Sequence, residues 1–123
     1  MDCGDIYNSP SSIETILNDI EANPQCDMFS YSVAEEDYDK NITILTPNNN
    51  HIFGKIYKTT FLNKYNIGFC PYSTYTNEDI GFNINCRFFL DENNLFEKNT
   101  PIITWKYNEN SLTRKNDNEF NYK

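Results

Sequence analysis

From residue 29 onward the apolar side chains of this chain recur at every second position, and that period limits the fold more than any other feature. Side chains two apart share one face of a strand but not of a helix. Phe29, Tyr31 and Val33 fall on one side of a first candidate strand, and Ile42 and Ile44 on one side of the next, with Thr43 and Leu45 opposite. Pro47-Asn48-Asn49-Asn50 reads as a turn. His51 to Phe61 then reads as a longer strand, and Tyr65 to Cys70 as a shorter one stopped by Pro71. The most regular run is Ile80 to Leu90: Ile80, Phe82, Ile84, Cys86, Phe88 and Leu90 alternate with Gly81, Asn83, Asn85 and Arg87, with Phe89 the exception. Ile102 to Tyr107 makes the last strand of the set.

One earlier segment has the other period. Ile13, Ile16, Leu17 and Ile20 stand at i, i+3, i+4 and i+7, which gathers them on one face of a helix. Ser11-Ser12-Ile13-Glu14 reads as a capping box opening it, and Asn23-Pro24 ends it, because proline disfavours helical geometry in the residue before it. So short a helix is unstable alone and must dock its apolar stripe. Asp19 and Glu21 lie near its C-terminal end, where the helix dipole disfavours acids. These signals predict an α+β fold with one short N-terminal helix packed on an antiparallel sheet of five to six strands. A single domain is expected over residues 1–107. Residues 108–123 are polar and without period, so a disordered tail is expected there.

Charge is distributed unevenly. Residues 1–39 carry ten acids and no lysine or arginine, whereas the remaining residues carry eight acids and ten bases, for a net charge of −8. A region without bases is a poor ligand for phosphate backbones, so direct nucleic-acid binding is not expected of it. A protein partner with a basic surface is. The acids Glu35, Glu36, Asp37 and Asp39 cluster between two candidate strands and are the expected binding residues. The chain is also rich in asparagine, with Ile, Tyr and Lys frequent beside it. That is the product of AT-rich coding and hints at a virus, phage or parasite.

Several chemistries are disfavoured. His51 is the only histidine and lies beside a turn, which leaves Ser-His or Cys-His catalysis without an obvious base. Cys3, Cys26, Cys70 and Cys86 include no pair at zinc-ligand spacing, so no metal is expected. With four glycines there is no phosphate-binding loop and no cofactor is expected. No apolar run approaches the ~18 residues of a membrane span, and the acidic start does not resemble a targeting segment. The expected setting is therefore intracellular, cytoplasmic or nuclear, with the cysteines as free thiols. Cys86, on the apolar side of its alternating run, is expected to be buried.

Part of the chain resembles ubiquitin-conjugating enzymes and their inactive variants. The resemblance runs mainly over residues 13–72, through the helix end Leu17 to Pro24, then Thr43-Ile44-Leu45-Thr46-Pro47-Asn48, Gly54-Lys55-Ile56-Tyr57, and Phe61 to Pro71. Beyond it, Tyr75-Thr76-Asn77 stands where that family carries His-Pro-Asn, and only the asparagine is kept. Cys86 follows nine residues after Asn77, and Thr100-Pro101-Ile102-Ile103-Thr104 is similar to a later segment of the family. The resemblance implies an N-terminal helix followed by an antiparallel meander. It also implies Cys86 as the thioester cysteine and Asn77 as the group stabilising the oxyanion. Against it, the charge pattern favours a non-enzymatic interaction module, an accessory protein that inhibits or recruits a basic partner such as a nucleic-acid-handling host factor. A structural or assembly component of a larger particle is the third expectation.

Overall fold

A computed structural model describes residues 6–48, 51–69 and 78–107. The elements run β1 (Ile6–Tyr7), α1 (Ser12–Ala22), β2 (Met28–Glu36), β3 (Ile42–Leu45), β4 (Lys55–Tyr57), α2 (Thr59–Lys64), α3 (Glu78–Phe89) and β5 (Leu95–Trp105). The chain is α+β, with a five-stranded sheet. Strand β2 is its centre, with β5 on one side and β1 beyond β5. The other side of β2 is shared by two strands in succession: β4 pairs with Met28 to Ser30, and β3 with Val33 to Glu36.

Two features of the expected architecture need correction. The sheet is mixed rather than antiparallel, because β5 runs parallel to β2 from Met28 opposite Leu95 to Glu35 opposite Trp105. There are also three α-helices among the described residues rather than one. The decisive change is at Ile80 to Leu90, which forms the helix α3. Its alternating list is two helical stripes superimposed. Ile80, Ile84 and Phe88 stand four apart, as do Phe82 and Cys86, and only the second pair turns inward: Phe82 and Cys86 are buried, whereas Ile84 and Phe88 are exposed. Glu78 and Asp79 in the first turn and Arg87 in the last suit a helix dipole. Asparagine and glycine between them are poor strand formers.

The expected strand from His51 to Phe61 is reduced to β4, because Gly54 (φ +71°) turns the chain and α2 begins at Thr59. A side chain at Gly54 would meet Val33 Cγ2 at 2.8 Å and the Tyr31 carbonyl at 2.9 Å, so the turn needs both the left-handed conformation and the missing Cβ. Tyr65 to Phe69 forms no strand. Strand β5 is longer than Ile102 to Tyr107, since Leu95 to Thr100 joins it, and the register shifts where Pro101 lies opposite Ser32. Proline is tolerated in a sheet at such an irregularity.

Helix α1 and strand β3 lie where their sequences place them, but the capping box does not form. Ser11 makes no cap bond and instead shares a 2.7 Å hydrogen bond with Ser9 Oγ. The faces of β2 alternate. Phe29 and Tyr31 form one core with Ile16 of α1, Cys26, Ile102 and Ile103, backed by Ile20, Ile56 and Phe96. On the opposite face, Tyr57 of β4, beside Met28, meets a second core of Phe61, Ile67, Phe82 and Cys86. The sheet is therefore covered by α1 on one side and by α2 and α3 on the other.

Candidate functional site

Of the four expected binding acids, two are committed to holding the chain. Glu36 is buried and receives Lys40 Nζ at 3.4 Å, Lys106 Nζ at 3.5 Å and the Tyr107 N–H at 3.2 Å. Burial alone would push its carboxyl up, but the Tyr107 N–H and the two ammoniums outweigh burial and hold it below its ordinary value. Asp37 Oδ1 accepts from the N–H groups of Asp39 and Asn41 at 2.9 and 2.8 Å, and Lys40 takes the left-handed conformation (φ 66°) at the tip. Asp37 is thus the residue that shapes the β2–β3 loop. Asp39 is exposed and Glu35 half-buried.

The acids of α1 divide in the same way. Asp19 accepts from Tyr31 Oη at 2.9 Å and lies 3.3 Å from Lys98 Nζ, tying the helix to β2 and β5. That explains an acid near the wrong end of the helix dipole: its partners are on the sheet. Glu14 and Glu21 point away from the sheet. Beside them, Ile13 is 44% and Leu17 58% exposed, although both belong to the apolar stripe. Only Ile16 of that stripe is buried, with Ile20 half-buried against the core. An open groove of about 680 Å³ runs along this outer face, lined by Pro10, Ile13, Glu14, Leu17, Asn18, Ile20 and Glu21.

Beneath α3 lies a layer of different character. Lys55 and Tyr57, two apart on β4, face Asn83 and Arg87, four apart on the helix. Tyr57 Oη donates to Asn83 Oδ1 at 3.0 Å. The Lys55 ammonium donates to the His51 carbonyl, and burial together with the nearby Arg87 charge pushes its pKa down to about 8, with Glu97 opposing. Ser30 and Ser32 of β2 are fully buried on this side of the sheet, and Ser30 donates to the Pro47 carbonyl. Little in the sequence pointed to this layer, because Asn83 and Arg87 read as the outward side of a strand.

Cys86 is wholly buried within α3, and burial raises its thiol pKa to about 11. At neutral pH it carries almost no thiolate, the form that attacks thioesters. Cys26, the other cysteine among the described residues, is likewise a buried free thiol. Asn77, like the 108–123 segment, lies outside the described residues. His51 packs its ring against Phe53 and Trp105, with centroids 5.9 and 5.8 Å away. No helix among the described residues is long and apolar enough to cross a membrane. No protein-family model matches the chain, and no curated protein sequence matches it.

Proposed function

We propose that this protein is a non-enzymatic binding module that docks an apolar protein segment flanked by lysine or arginine on the outer face of α1. One observation carries the reading: Ile13 and Leu17 stand exposed in a groove that Glu14 and Glu21 also line, in a third of the chain that holds no base. Apolar anchors give such a contact its affinity, and the acidic rim speeds encounter with basic partners and rejects acidic ones. The burial of Cys86 supports a binding role over thioester chemistry. The composition fits a viral, phage or parasite accessory protein, and a basic nucleic-acid-handling host factor is a partner of the right charge.

Partners recovered by affinity purification and identified by mass spectrometry supply the binding assay. The informative variant carries Glu14→Lys, Leu17→Asp and Glu21→Lys. These positions are on the solvent side of the helix, so the fold should be unchanged by circular dichroism. Binding of the recovered partner should fall at least tenfold, and wild-type binding should weaken steadily with salt, since exposed charges are screened beyond ~10 Å at 0.1 M. A control carrying Glu35→Lys and Asp39→Lys tests whether the hairpin contributes, while sparing Glu36 and Asp37. Wild-type affinity in the α1 variant would refute the reading, as would affinity indifferent to salt.

A further inference from the structure

We propose that α3 and β4 enclose a site for an oxyanion, a carboxylate or a phosphate, gripped by the side-on edge of the Arg87 guanidinium and by Asn83 Nδ2. Three buried donor nitrogens of this layer are unmatched. Arg87 Nε and Nη2 are buried and make no hydrogen bond, and neither does Asn83 Nδ2. Nε and Nη2 are the two nitrogens along one edge of the guanidinium. Their N–H groups point the same way, at a spacing that matches two oxygens of a carboxylate or phosphate. The buried atoms are thus one complete bidentate fork.

Asn83 adds a third donor on the same helix face. It is fully buried, and its Oδ1 already accepts from Tyr57 Oη at 3.0 Å, so its amide nitrogen is the atom left over. Native proteins rarely bury donors without acceptors, and a charged donor left so is costlier than a neutral one. Lys55, close enough for its charge to be felt with that of Arg87, adds positive potential rather than an acceptor. Among the described residues two acids reach this layer, and neither bonds Arg87. Asp79 Oδ1 accepts from the Ile80 N–H at 2.8 Å, and Glu97 is exposed on β5. What the layer lacks is a compact group with two or three acceptor oxygens and negative charge, which describes an oxyanion and not a neutral ligand.

The test uses the whole chain at low ionic strength, titrated with inorganic phosphate, with acetate, and with sodium chloride at matched ionic strength. Melting temperature and amide chemical shifts of α3 are followed. Phosphate, acetate or both should stabilise the wild type and shift α3, where chloride does not. Response to phosphate alone assigns a phosphate ligand; response to acetate alone assigns a carboxylate such as that of an acidic peptide. Arg87→Lys keeps the charge but loses the fork, and it should weaken the responding anion by roughly tenfold, the worth of a charge-assisted hydrogen bond. Asn83→Leu should weaken it less. If neither anion does more than chloride in the wild type, there is no such site. The same conclusion follows if Arg87→Lys binds like wild type, and the wild-type titrations decide the matter even where a variant fails to fold.

Discussion

The two faces of this sheet are closed by opposite means. On the α1 side, Phe29, Tyr31, Ile102 and Ile103 meet Ile16 and Phe96, with rings packed at 5.5 Å (Phe29 to Phe96) and 6.1 Å (Tyr31 to Phe96). The polar groups there are matched: the Tyr31 hydroxyl has Asp19, and Asp19 has Lys98. On the α3 side, Phe82 and Cys86 are apolar, but Ser30, Ser32, Asn83 and Lys55 are buried with them, and Asn83 and Arg87 leave donors unmatched. The first face is built for stability. The second gives up some stability by burying polar and charged groups, the arrangement expected where a surface is kept for a ligand.

Three measurements sharpen or break that contrast. The largest effect should come from Phe29→Ala, which empties the centre of the α1-side core; truncation of a buried phenylalanine costs about 3–5 kcal/mol, readable as a large fall in the urea midpoint. A loss below about 1 kcal/mol would mean that this core does not carry the fold. Next is the pH dependence set by Lys55. Its pKa falls from 10.5 to about 8 on folding, so between those values the unfolded chain binds more protons and wild-type stability gains with rising pH. Cys86 opposes this from pH 9 upward, because its thiol keeps its proton to about 11 in the fold, and the tyrosines oppose it above 10. The difference between wild type and Lys55→Met cancels those contributions: wild type should gain on the variant from pH 8 to about 10. A constant difference would place Lys55 in water. Smallest of all should be Asn83→Leu, which removes an unmatched amide but strips Tyr57 of its acceptor, two opposed changes that leave stability within about 1 kcal/mol. A loss as large as that of Phe29→Ala would erase the distinction between the faces.

How much of this was legible in the sequence follows from how local each signal is. The stripe of α1 and the alternation of β2 and β3 are set by neighbours, and the structure keeps them: Ser12–Ala22 is helical, and Ile42–Leu45 is a strand. The segment Ile80 to Leu90 misled because residues four apart are also two apart twice over. A helix with two apolar stripes therefore imitates a strand, and only the acids of its first turn and the intervening asparagines tell the difference. The parallel register of β5 is invisible locally, because its partner lies far away in the chain and its polar stretch Lys98–Thr100 has no alternation. Burial of Glu36 was hidden for a related reason. One of its two ammonium partners, Lys106, and the Tyr107 N–H come from the residues just after β5, so the cluster 35–39 looked uniformly exposed, whereas it is half scaffold and half surface.

The central place of β2 also fixes the order in which the molecule can come together. The hairpin of β2 and β3 closes over the five residues from Asp37 to Asn41, a quick event for a chain. The parallel seam between Met28 and Leu95 has to wait until everything between them has been looped out, and such distant closures are the slow part of folding. Until that moment one long edge of β2 is bare, with its N–H and carbonyl groups open to any other strand, including that of a second molecule. In the finished fold β5 covers that edge and β1 pairs with the outer side of β5. A strand at the centre of the native sheet is, by the same topology, among the last to be shielded while it forms.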